Sequence, residues 1–199
     1  MVDRAESPFE SREVPTIGFQ QGHLGELVFR DCRVPKANLL GEPGDAHSSL
    51  TFTWLANRAN MGLIGVHLAQ RALDASVAYA KERVQFGKPI GSFQLVQEML
   101  AEMATLTDAS RLLCYRALAL LDRGVWCHRE SSMAKAYATE AAVRVTNMAI
   151  QIHGAYGLTK EFPLERWARD ARMITIPDGT TQIQRLIIGR ELVGLRAFS

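Results

Sequence analysis

The run from Met133 to Gly157, MAKAYATEAAVRVTNMAIQIHGAYG, decides what kind of fold this chain has. Met133, Tyr137, Ala141, Val145, Met148 and Ile152 recur three or four residues apart, which puts them on one face of a helix. Gly154 and Gly157 then close it, available for the positive φ that ends many helices. The same period continues outward. Leu50, Trp54, Met61, Ile64, Leu68, Ala72, Ala75 and Tyr79 mark an earlier helix. Val96, Leu100, Met103, Leu113, Ala117 and Leu121 mark a second one. ERVQFGKPIGSFQ (82–94) separates these two, with Ser92 as the expected N-cap, and DRGVWCHRESS (122–132) separates the second from the third. Shorter helices are predicted over 163–172 and 180–195. Long helices with short connections predict a mainly α chain, an antiparallel four-helix bundle over 47–199.

Residues 1–46 have another texture, carrying four of the seven prolines. GELVFRDCRVP reads as one short strand, with Leu27 and Phe29 on one face and Val28 and Arg30 on the other. VPKANLLGEPGD reads as a loop leaving it. A lone strand is not stable, so 1–46 is expected to be the tail of a β-domain plus a linker, with earlier strands lying outside the chain.

Composition narrows the function classes. With 47% hydrophobic and 22% charged residues among 199, the chain can bury a core and is not disordered. A formal net charge of +2 argues against nucleic acid as partner. The three cysteines, Cys32, Cys114 and Cys127, have no metal-ligand spacing and fit reduced thiols. Residues 1–15 carry no apolar signal segment, and no apolar run approaches the ~20 residues of a membrane span. The expectation is a soluble, cytoplasmic protein with no metal site.

Five motifs carry candidate chemistry. In ERVQFGKPIGSFQ, Arg83, Phe86 and Gln94 read either as a solvated turn over a buried Phe, or as a guanidinium for phosphate, an aromatic for a ring and an amide for a cofactor. Gln151, Ile152, His153, Gly154 and Ala155 read as a helix end with a packing imidazole, or as a close backbone approach to a ligand. In PLERWARDARM (163–173), Glu165 and Arg169 form an i, i+4 pair with a structural role. Asn57 and Arg58 interrupt the apolar stripe of the first helix. Finally, IPDGTTQIQR places Asp178 and Gly179 before a helix. Asp178 reads as an N-cap, or as a base, which asks for a partly desolvated carboxylate. Thr181 with Gln184 is a candidate capping box that would free Asp178 from capping.

Taken together and in order, ERVQFGKPIGSFQLVQEMLAEMA, AIQIHGAYGLTKEFPLERWARDARM and DGTTQIQRLIIGREL resemble the C-terminal half of acyl-CoA dehydrogenases, and GELVFRDCRVPKANLLGEPGD resembles the end of their middle β-domain. The resemblance implies an FAD flavoprotein of fatty acid metabolism, with an acyl-CoA substrate. It implies a longer chain, of which these residues are the C-terminal part. Arg83 matches the arginine at the FAD pyrophosphate, Gln94 an FAD-contacting amide, and Phe86 an aromatic on the adenosine portion. Gln151, Ile152, His153, Gly154 and Ala155 match the turn that reaches a neighbouring subunit's FAD, although Ala155 stands where a second glycine is frequent. Thr180, Thr181 and Gln182 match the FAD-contacting helix start. Arg58 and Gly179 fall on the substrate side. Shared flavins imply a homotetramer, a dimer of dimers, and an electron-transfer flavoprotein is the implied partner.

Asp178 aligns with the family's catalytic glutamate, commonly preceded by Tyr, where this chain has Pro177. Asn57 stands where some members carry a displaced glutamate, and an amide is no base. The resemblance thus leaves Asp178 as the base, one methylene shorter than Glu. Two alternatives stay open: a flavin oxidase of an acidic carbon with an Asp base, and a non-catalytic FAD- or CoA-binding subunit that supports an active paralogue in a hetero-oligomer.

Overall fold

The computed structural model describes residues 1–195, and the side chains of these except 47–49. The last four residues of the predicted 47–199 unit lie outside the described residues. Three long helices dominate: α1 (Ala46–Glu82), α2 (Gln94–Asp122) and α3 (His128–His153). Two shorter ones follow, α4 (Leu164–Ile174) and α5 (Thr181–Val193). α1, α2 and α3 pack pairwise, α4 lies on α3 and α1, and α5 lies on α3.

The core gives the helix directions. Ala59 and Val66 of α1 cluster with Cys114 and Ala117 of α2 and with Ala134 and Ala138 of α3. Higher along α1, Ala69 and Ala72 cluster with Met103, Leu106, Ala141, Val145 and Ala149. Sequence number rises together in α1 and α3 and falls in α2, so α2 runs antiparallel to both. This is the predicted helical bundle.

Alanines, serines and threonines fill most buried positions of α3, and small side chains let helices approach closely. A Cβ at Gly65 would lie 2.9 Å from the Ala138 carbonyl oxygen across the α1–α3 contact. Several buried hydroxyls are satisfied within their own helix: Thr139 donates to the Lys135 carbonyl and Thr146 to that of Ala142. The three cysteines are free. Among the described residues, no helix is long and apolar enough to cross a membrane.

Several expectations need correction. Leu50, Trp54 and Tyr137 are exposed, because the helical period continues past the part of each face that a neighbour covers. The strand over GELVFRDCRVP is shorter than predicted and is not alone. β2 (Gly25–Val28) pairs antiparallel with β1 (Glu10–Glu13), whose charged, exposed ESRE lacks the alternation that marks a strand. Ser92 is no cap, since its hydroxyl donates to the Pro89 carbonyl and α2 starts after Phe93. Gly157 has no positive φ. Its lack of a side chain serves closeness instead, because a Cβ would lie 2.6 Å from the Ile150 carbonyl oxygen. The predicted Glu165–Arg169 pair forms at 2.8 Å. The same arginine donates to the Ile17 carbonyl, and Asp170 accepts from the Phe19 N–H at 2.6 Å, tying the N-terminal segment to α4.

Candidate active site

Two groups of predicted site residues sit at opposite ends of α1. Arg58 lies about a third of the way along it and Arg83 caps its end. With 1.5 Å of rise per residue, the helix separates them by roughly 37 Å.

The first group surrounds the α4–α5 connection. Pro177 leads into Asp178 at φ +55 and Gly179 at φ +92. A non-glycine residue in left-handed backbone is uncommon, and Asp is among the types that tolerate it. Asp178 is not the N-cap of α5. That role belongs to Thr180, whose hydroxyl accepts from the Ile183 N–H at 3.4 Å. Nor do Thr181 and Gln184 form a capping box. Thr181 is buried and donates to Glu140 Oε1 of α3 at 2.6 Å. Gln184 turns back and donates through Nε2 to the carbonyls of Asp178, at 2.9 Å, and Gly179, at 3.0 Å.

A residue not foreseen from sequence completes the turn. Lys135 of α3 is fully buried. Its Nζ donates to the Thr175 carbonyl at 2.8 Å and the Gly179 carbonyl at 2.7 Å. Burial pushes its ammonium down to about 8, against the opposing pull of Asp178 and Glu140. SSMAKAYATEAA shows that small residues leave α3 room for close packing around Lys135, but its partners lie in another part of the chain. The turn's carbonyls are thus tied inward. The Asp178 N–H and its half-buried carboxylate have no hydrogen-bond partner among the described residues. Arg58 is buried nearby, and its Nε has no partner among the described residues. Burial lowers its pKa, Arg190 lowers it further, and Asp178 opposes both.

The second group has the opposite character. β3 (Val84–Gln85) and β4 (Lys88–Pro89) form a two-residue hairpin with Phe86 at φ +52 and Gly87 at φ +79. Positive φ at both positions matches the twist of hairpin strands. Phe86 is 92% exposed, which excludes the buried-Phe reading. Arg83 is exposed and makes no ion pair among the described residues; its guanidinium lies over the Tyr156 ring at 5.9 Å. Gln94, the first residue of α2, is exposed.

The 151–155 turn adjoins this end, since His153 stacks on Tyr79 at 4.2 Å between ring centroids. Gln151, Gly154 and Ala155 face solvent, and Gly154 takes φ +59. Ile152 and His153 are core. The imidazole bonds the Ala149 carbonyl at 2.8 Å, and burial lowers its pKa. The packing reading of His153 is therefore correct. At the other end, Gln182 is exposed while Thr180 is half-buried.

Comparison with known proteins adds to this geometry. Residues 51–193 match the family model described as acyl-CoA dehydrogenase, C-terminal domain. A probable acyl-CoA dehydrogenase of Bacillus subtilis is 44% identical over 177 residues, covering 89% of this chain and 47% of that protein. The solved structure of butyryl-CoA dehydrogenase from Megasphaera elsdenii superposes with a TM-score of 0.93 at 34% identity, over 96% of this chain and 50% of that one. A chain in a solved structure of the electron transferring flavoprotein of Acidaminococcus fermentans matches with a TM-score of 0.91 at 38% identity, over 94% of this chain and 50% of that one. The chain thus spans about half the length of the relatives it matches.

Proposed function

This chain belongs to the acyl-CoA dehydrogenase family, and from that premise we propose that it contributes the proton-abstracting end of an FAD-dependent α,β-dehydrogenation of an acyl-CoA thioester. The observation that carries the reading is the Asp178 turn, whose carbonyls are held inside while its N–H and carboxylate remain unpaired among the described residues. The Asp178 carboxylate takes the proton from Cα of the acyl group. Its own N–H donates to the thioester carbonyl, where negative charge develops. Arg58 and Gly179 border the substrate, the one as a cation beside the base, the other as backbone without a side chain. FAD, when bound, supplies the acceptor for the hydride leaving Cβ.

The second group of residues suits FAD. An unpaired guanidinium at Arg83 fits a pyrophosphate, and exposed Phe86 offers a face to a planar ring. Gln94, Gln151, Gly154 and Ala155 add amide and backbone groups around them, with Ile152 and His153 contributing main chain only. Thr180, Thr181 and Gln182 meet FAD at the start of α5, Thr181 through its backbone because its hydroxyl is engaged by Glu140. Ends some 37 Å apart along one helix favour service to different flavins in neighbouring copies, hence a homotetramer, a dimer of dimers. The likeness to a chain in an electron transferring flavoprotein structure supports such a flavoprotein as electron acceptor.

The test is anaerobic. Saturated acyl-CoAs are added to the FAD-loaded full-length protein while the visible flavin band is recorded. Bleaching that Asp178→Asn abolishes supports the reading. Flavin that no acyl-CoA bleaches overturns it. Restoration by Asp178→Glu would then favour a partner subunit, and bleaching by a nitroalkane an oxidase.

A further inference from the structure

We propose that Lys135, assisted by Gln184, is a positioning residue for the base: it sets where the Asp178 carboxylate and N–H stand. The inference rests on the reading of Asp178 as the base. A buried lysine ordinarily pairs with a carboxylate. Here both of Lys135's hydrogen bonds go to carbonyls of one turn, Thr175 before Asp178 and Gly179 after it. Gln184 Nε2 donates to Asp178 and Gly179 from the α5 side. Its Oε1 is buried without a partner among the described residues, so the amide is held for what its nitrogen does.

Three carbonyls are thereby fixed from two helices, and the residue between them keeps a left-handed conformation that few side chains adopt. The arrangement matters more for aspartate than for glutamate. A shorter side chain has one torsion fewer with which to correct a misplaced backbone, and an error of about 1 Å at a reacting group can cost on the order of 100-fold. Asp178 and Glu140 favour the ammonium of Lys135, Arg58 disfavours it, and burial disfavours it most.

The experiment uses the FAD-loaded full-length protein carrying Lys135→Gln. The expected result is a kcat lowered about 100-fold with KM changed less than about threefold, because substrate binding is retained and base placement is not. With α-deuterated acyl-CoA, the isotope effect on kcat rises, as proton transfer becomes slower than other steps. Hydrogen exchange at the amides of Ile183 and Gln184, which bond Thr180 at the end of the turn, accelerates at least about tenfold, while exchange within α2 and FAD affinity stay as in the parent. Gln184→Met, which leaves no charge behind, shifts the same readouts in the same direction by less. If Lys135→Gln does not fold, Gln184→Met decides by these criteria. Unchanged exchange at Ile183 and Gln184, or a loss of kcat that only follows loss of FAD or global unfolding, overturns the proposal. Activity surviving in Asp178→Asn would overturn the base assignment instead, and the exchange data would still decide whether the clamp exists.

Discussion

Around Asp178, the polar groups of the turn are consumed from within: Lys135, Gln184 and Thr180 occupy its carbonyls and the first turn of α5, and a carboxylate and an N–H are left over. Around Arg83 the reverse holds. The guanidinium, the Phe86 ring and the Gln94 amide stand in solvent with little of the protein around them. The two ends of α1 therefore suit different work. On the proposed reading, a site that moves a proton needs preorganisation, and the Asp178 turn is tied into the core. On the same reading, a site that holds a large cofactor needs accessible groups, and this end is left open.

This contrast can be broken by substitution. The largest effect is expected at the closed end, where Asp178→Asn should lower acyl-CoA-dependent flavin reduction by about 1000-fold or more, within the range for a lost general base. A flavin titration should find FAD affinity unchanged. At the open end the pattern should invert. Arg83→Gln removes a charge-assisted bond of about 1.5–3 kcal/mol, so the FAD dissociation constant should rise about 10- to 100-fold while kcat at saturating FAD changes little. If Arg83→Gln instead abolished turnover with FAD fully bound, the division between the ends would be wrong.

Lys135 gives a smaller signature that belongs to the closed end alone. Burial depresses its pKa to about 8 from an ordinary 10.5. Between these values the unfolded chain binds more protons than the folded one, so stability rises with pH as the folded ammonium is neutralised. The gain from about pH 8 to 9 should approach 1 kcal/mol. Above about pH 9 the buried Cys114 thiol, pushed up to about 12, pulls the other way, because there the folded chain holds the extra proton. Denaturant midpoints of the parent and Lys135→Gln should separate the two: the rise disappears in the variant and the fall remains. The smallest effect is expected for Thr180→Ala, about 0.5 kcal/mol, since its cap is a long bond at 3.4 Å on a partly exposed helix start.

How much of this was legible beforehand divides along the same line. Period read the helices correctly, and glycine and proline read the breaks, because both are local properties of the backbone. At Arg83, Phe86 and Gln94 the turn itself was legible, but the burial of Phe86 was not, because a two-residue hairpin with positive φ at Phe86 and Gly87 turns that ring out to solvent. The inside of the Asp178 turn was not legible. Lys135 and Thr175 are 40 residues apart, and Thr181 and Glu140 41 apart, so no window of sequence contains either pair. The capping box failed partly for this reason, since Thr181 is taken by Glu140 of α3, while Gln184 turns back to the nearby carbonyls of Asp178 and Gly179. β1 failed because a pair of exposed, charged strands has no buried face to impose alternation.

The length of α1 has a further consequence. A helix fixes angle as well as distance, turning about 100° with each residue. Deleting or inserting one residue between Arg58 and Arg83 would change their spacing by only about 1.5 Å but would swing one end sideways relative to the other. The bearing between the two ends is therefore a property of α1 as a rigid rod. A change in residue count between Arg58 and Arg83 would alter the relation between the two ends in a way that a substitution on the exposed face of α1 would not.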